Sequence, residues 1–179
     1  MARVKHAVVR LDNITGMVDG ARIHSGRFYS DVANKVTADI DNGFPVKIGA
    51  LEDGEREIRI CEAPAQGDTD WGIVTTPEVD SAWDRNYLGI QDFYNKAGEP
   101  IRIHVLKDHN IFSVSIEALD GTPTVGQKID LGGTNGKWHV GSTGIATCVA
   151  IDTIGTAVAV GSVPGVAPVT LYAFEIDPA

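Results

Sequence analysis

The sequence predicts an all-β fold: a compact β-barrel or sandwich over residues 31–179, preceded by an extended basic arm over residues 1–30. Turn pairs recur at Asp19-Gly20, Asn42-Gly43, Asp53-Gly54, Asp120-Gly121 and Asn135-Gly136, and such pairs tolerate the positive φ of tight hairpins. Between them lie short runs that alternate apolar and polar residues, the pattern of a half-buried strand. Helix-favouring runs are scarce, while glycine is abundant at 20 residues, which favours strands joined by frequent turns.

Taken in order, residues 1–30 set Arg3, Lys5, Arg10, Arg22 and Arg27 against only Asp12 and Asp19, a net of +3. The formal charge of the chain is −9, so the remainder carries −12. A basic leader on an acidic body predicts an intermolecular contact or a solvated terminus. Strands are expected at 57–61, where Ile58 and Ile60 form the apolar face, then at 101–105 and 112–116. The one helix candidate is 81–96, with Trp83, Tyr87, Ile90 and Tyr94 at three- and four-residue steps; Gly89 weakens it. Later strands are expected at 137–141, 145–151, 156–161 and 168–176. Lys137 is the last basic residue, and the nearly neutral end carries Val158, Val160, Val163, Val166 and Val169. These valines fit a core, or a surface for self-association.

Composition excludes several functions. An acidic chain is a poor partner for phosphate backbones, so no direct nucleic-acid binding is expected. No apolar run approaches the ~20 residues of a membrane span, and the start lacks the apolar segment of a secretory signal. Cys61 and Cys148 lie far apart without metal-ligand spacing and are expected to be reduced and buried.

The chemistry-bearing residues form no recognisable constellation. His6, His24, His104, His109 and His139 make no HExxH or HxH pattern, and alternation places His104 on the polar face of its strand. Ser113 and Ser115 alternate with apolar residues as strand-surface residues do, and no GxSxG elbow is present. The stretch Gly132–Lys137 lacks phosphate-loop spacing and reads as a hairpin turn. Asp39/Asp41 and Asp68/Asp70 do not continue into a calcium loop. No catalytic residue, metal or cofactor is therefore expected. Trp71, Trp83, Tyr87, Phe93 and Tyr94 gather in the middle third and read as core or subunit contact. A ligand platform of Trp83, Tyr87 and Tyr94 is the alternative.

The segments VKIGALEDGEREIRICEAPAQGDTDWGIVTTPE at 46–78, DFYNKAGEPIRIHVLKDHNIFSVSIEALDGTPTVGQKIDL at 92–131 and GTNGKWHV at 133–140 resemble capsid decoration (cement) or head-fibre-like proteins of tailed bacteriophages. The resemblance covers turns and strands, not a catalytic motif. It implies a non-enzymatic virion protein, assembled in the host cytoplasm, that binds the outer surface of the major capsid protein lattice and stabilises the head. Under this reading the arm is the expected capsid contact, through Arg3, Lys5, Val8, Arg10, Leu11, Arg22, Arg27 and Phe28. The runner-up function is a virion-surface adhesion or glycan-binding module.

Overall fold

The computed structural model describes residues 4–11, 22–78, 90–154 and 168–178. Twelve strands make an all-β fold in two sheets of six. In chain order they are β1 (Val9–Arg10), β2 (Ile23–Asp31), β3 (Val36–Thr37), β4 (Pro45–Leu51), β5 (Ile58–Glu62) and β6 (Trp71–Val74). There follow β7 (Ile101–His104), β8 (Ile111–Ser115), β9 (Lys128–Asp130), β10 (His139–Gly141), β11 (Ala146–Ile154) and β12 (Val169–Ile176). The expected strands at 57–61, 101–105, 112–116 and 168–176 thus appear within a residue or so. The expected hairpin turns at Gly43, Gly54 and Gly136 have φ of +86°, +84° and +75°. The strand expected at 156–161 lies outside the described residues, as does the helix candidate up to residue 89; residues 90–92 form a single 3-10 turn.

One sheet closes on itself. The ring β2-β5-β4-β6-β7 returns to β2, because β2 pairs in parallel with β5 and antiparallel with β7. This five-stranded barrel is filled by Val46, Cys61, Val74, Ile101 and Ile103, with Phe28, Phe44 and Ile48 packed against them. Register fixes which side chains enter. Cys61 faces Phe28 and Ile48, Val46 faces Gly72, and Ile103 faces both His24 and Val74. The interior is full at its waist: a methyl group on Gly26 would lie 2.5 Å from Cys61 Sγ and 2.7 Å from Ile103 Cδ1. Glycine is needed there for close approach, not for a turn.

The second sheet is open and antiparallel, ordered β1-β8-β12-β11-β9-β10. Its core joins Phe112, Val114, Ile129, Trp138, Cys148, Tyr172 and Phe174 to Ile73, which projects from the outside of the barrel. Trp138 links the two sheets. Its ring meets Trp71 edge-on at 5.6 Å and Phe112 at 5.3 Å, and its Nε1–H donates to the Gly43 carbonyl at 2.8 Å. Cys61 and Cys148 are both buried and unpaired, and burial pushes the Cys61 thiol up to about 12, well away from reactive thiolate.

Several expectations are corrected. Residue 30 is not a boundary, and the described parts of residues 1–30 are not an extended arm: β2 crosses that position as a barrel strand, and β1 is paired to β8. Val8 is fully buried, with its N–H donating to Ser115 Oγ at 3.0 Å and its carbonyl accepting from Ser115 N. Ser113 and Ser115 are accordingly buried, not surface residues, because the amino-terminal segment covers that part of β8. In β5 the apolar face is the reverse of the expected one. Arg59 and Cys61 share the barrel side while Ile58 and Ile60 sit half-buried outside, since β2 places Gly26 and Phe28 opposite Arg59 and Cys61.

His104 is also buried, at 6% exposure, because strands flank it on both sides. It hydrogen-bonds Thr75 Oγ1 through Nδ1, and burial, aided by the Arg102 cation, pushes its pKa below the ordinary value. The unfolded imidazole takes a proton below about pH 6.5, whereas the buried one resists it to lower pH. The unfolded state therefore binds more protons in that window, and the stability present above pH ~6.5 is lost as pH falls. We expect the drop in unfolding free energy from about pH 7.5 to about pH 5 to be smaller in His104→Asn than in the wild type, measured by urea titration. An equal drop in both would show that His104 does not titrate as the burial requires.

Candidate functional site

The inward rows of the barrel do not stay apolar to their ends. In β2 the row Phe28, Gly26, His24 ends on an imidazole, and in β5 the row Cys61, Arg59 ends on a guanidinium. In β6 the row Val74, Gly72 is preceded two residues earlier by Asp70, while β7 continues two residues on from Ile103 to Val105. Strands β2, β5 and β6 run one way and β4 and β7 the other, so all these termini meet at one mouth of the barrel. They enclose an open cleft of about 480 Å³ lined by His24, Ile48, Gly49, Arg59, Thr69, Asp70, Trp71 and Val105.

Arg59 is held in place by a 3.0 Å hydrogen bond from Nη1 to the Gly49 carbonyl, leaving the rest of its fork free to bind. Burial and then the Arg59 cation lower the His24 pKa, so the imidazole beside it stays neutral near pH 7. Thr69 and Asp70 stand at the exposed rim. Ile48, Trp71 and Val105 supply the apolar part of the lining. The cleft thus combines one fixed cation, one neutral imidazole, a carboxylate and a hydroxyl over an apolar wall, which is equipment for binding.

The residues expected to contact a capsid are mostly used internally. Val8 is core, Leu11 packs against the core of the open sheet and Phe28 against the barrel core. Arg27 forms an ion pair with Glu52 and donates from Nε to the Gly98 carbonyl at 3.0 Å; Tyr29 Oη donates to the same Glu52 at 2.6 Å. Arg10 lies 3.8 Å from Glu78, and Arg22 is likewise engaged. Lys5 is exposed, and Arg3 lies outside the described residues. As a whole the expected contact set is therefore not an exposed surface. Of the alternative platform, Tyr94 stacks on the His6 ring at 4.7 Å, and Trp83 and Tyr87 lie outside the described residues. Phe93 is buried, and Trp71 packs on Trp138.

Three of the four carboxylates in the acidic pairs, Asp39, Asp41 and Asp68, are structural. Asp41 accepts from His6 Nδ1 at 2.7 Å and from Ala7 N at 2.9 Å, which clasps the amino-terminal segment to the barrel. Asp39 accepts from Ala97 N and Asp68 from Ala65 N. Two further histidine–carboxylate pairs, His109–Glu175 and His139–Asp120, are each 2.9 Å long. Among the described residues no group of three histidine, cysteine or acidic side chains is placed to hold a metal ion. No helix among them is long and apolar enough to cross a membrane.

Some aliphatic residues are exposed. Val149 and Ile151 on β11 are 40% and 42% exposed, and Val125 is 62% exposed. Val125 precedes Gly126, whose N–H donates to the Cys148 carbonyl at 2.8 Å, so this loop is tied to β11. A bulge between Cys148 and Ala150 turns the strand at this point. From Thr153 to Phe174 the sequence carries no charged residue. Compared with protein-family models, curated proteins and solved structures, the chain matches none.

Proposed function

We propose that the protein decorates the capsid of a tailed bacteriophage, binding the outer surface of the major capsid protein lattice and stabilising the head without enzymatic chemistry. The observation that carries this reading is the exposure of Val149 and Ile151 on β11 and of Val125 on the loop bonded to it, in an acidic chain. Exposed aliphatic side chains that come together in a patch mark protein interaction surfaces. The turn-and-strand resemblance at 46–78, 92–131 and 133–140 supports the same class. Docking through the open sheet replaces docking through an arm, of whose five basic side chains Arg27 and Arg10 pair with Glu52 and Glu78. Several such contacts per copy, each bridging neighbouring subunits, would have to break together for release.

Mass spectrometry of purified particles tests the class: copy numbers near that of the major capsid protein support decoration, and a handful of copies or none overturns it. Binding to undecorated heads tests the surface. The double variant Val149→Asp/Ile151→Asp is expected to bind at least about tenfold more weakly, since each buried aliphatic side chain contributes roughly 1.5–3 kcal/mol before ordering costs. Lys5→Ala should bind as the wild type does. Undiminished binding of the double variant would place the anchor elsewhere.

A further inference from the structure

We propose that the mouth of the barrel is a binding site for an acidic sugar residue, a hexuronate-type unit of a glycan, held by Arg59, His24 and Asp70, with Thr69 at the rim. The inference does not depend on capsid decoration.

The alternation of the barrel strands is the first ground. Positions that continue the inward rows should be apolar or small, as Phe28, Gly26, Cys61, Val46 and Ile103 are. At one mouth the same rows deliver His24, Arg59 and Asp70 into a cleft of about 480 Å³. That volume lies within the range of small-ligand sites. The barrel interior below is filled, so a ligand sits in the mouth and goes no deeper.

The side chains then select the ligand. No hydrogen bond joins His24, Arg59 and Asp70 to one another among the described residues, and Arg59 is fixed instead by the Gly49 carbonyl. Its remaining N–H groups fit a planar carboxylate two at a time. Neutral His24, the Thr69 hydroxyl and the Asp70 carboxylate suit hydroxyl groups, which both donate and accept. Ile48 and Val105, which continue the inward rows of β4 and β7, supply an apolar side to the cleft against which the C–H groups of a sugar can lie. A phosphate dianion is disfavoured, because a single cation faces it and Asp70 repels it. A neutral sugar leaves the Arg59 fork without a bidentate acceptor, and a simple carboxylate leaves the hydroxyl partners unused.

The test uses the full chain, labelled with 15N and titrated with D-glucuronate, D-glucose, acetate and inorganic phosphate. Glucuronate is expected to shift the backbone signals of His24, Gly49, Arg59, Asp70 and Val105 saturably, with a millimolar Kd for a single sugar unit. It should bind at least about tenfold more tightly than glucose or acetate. Arg59→Lys, which keeps the charge but loses the fork, should weaken glucuronate about tenfold and so bring its affinity close to that of glucose. Should that variant fold poorly, the wild-type ranking of the four ligands decides alone. Three results overturn the proposal: no saturable shift at about 50 mM glucuronate, acetate or glucose binding as tightly as glucuronate, or phosphate binding more tightly than any of them. Each of these leaves capsid decoration untouched, and failure to bind capsids leaves the sugar site untouched.

Discussion

A chain beginning at Asp31 is expected to be unfolded. The deletion removes β2, which alone joins β5 to β7 and so closes the barrel. It uncovers the filled interior at Phe28 and leaves two central strands as unpaired edges. It also removes Ala7, Val8 and Val9, all buried, and strips Ser115 of its two hydrogen bonds to Val8. Losing three buried aliphatic side chains of the amino-terminal segment and a barrel strand exceeds the 5–15 kcal/mol that holds a typical domain together. Urea titration followed by circular dichroism would check it. A cooperative transition in the shortened chain, with the wild-type slope, would mean that the barrel closes without β2. Removing residues 1–4 should cost little by comparison, since Val4 is 75% exposed.

Trp138→Ala is expected to destabilise the protein by about 3–5 kcal/mol, the range for deleting a fully buried large aromatic side chain. Trp138 has no exposed surface, and three independent elements depend on it: Trp71 of the barrel, Phe112 of β8 and the carbonyl of Gly43 in the Asn42-Gly43 turn. Trp138→Phe separates two contributions. It keeps most of the packing but leaves the Gly43 carbonyl without its donor, for a loss of about 1–3 kcal/mol. The denaturation midpoints, read by circular dichroism because tryptophan fluorescence changes with the substitution, should fall in the order wild type, Phe, Ala. A loss below about 1 kcal/mol for the alanine variant would show that the sheets do not rely on this contact.

The strands most readily read from the sequence were those whose alternation survives intact. Ile101-Arg102-Ile103-His104 and Ile111–Ser115 carry their apolar residues at every second position, and both are strands. Three strands that the alternation does not mark contain glycine: Gly26 in β2, Gly49 in β4 and Gly72 in β6; β1, β3 and β9 are too short, at two or three residues, to show a period. In a narrow barrel glycine marks the place where walls nearly touch, and along a sequence it is easily taken for a turn. Charge misled for a different reason. Arg10 and Arg27 look like an unbalanced basic leader, but Glu78 and Glu52, distant in sequence, balance them in space. The candidate site was hidden by both effects together. Arg59 becomes an inward residue only once Gly26 is known to lie beside it, and nothing local to either strand states that pairing. Burial of Ser115 depended likewise on a partner more than a hundred residues away.

The position of β12 has a consequence for the order of events during synthesis. The barrel uses strands from one continuous stretch, Ile23 to His104, so all its partners exist once that stretch has left the ribosome. The open sheet is different: β12 lies between β8 and β11, so β1 and β8 stay separated from β9, β10 and β11 until residues 169–176 emerge. Phe112, Ile129 and Trp138 therefore wait, exposed, beside an already closed barrel for the final strand of the chain. Long-range pairings of this kind are slow to form and sticky while they wait. A ribosome stalled near residue 165 would thus carry a finished barrel with half a sheet attached, the form of this chain most in need of a chaperone.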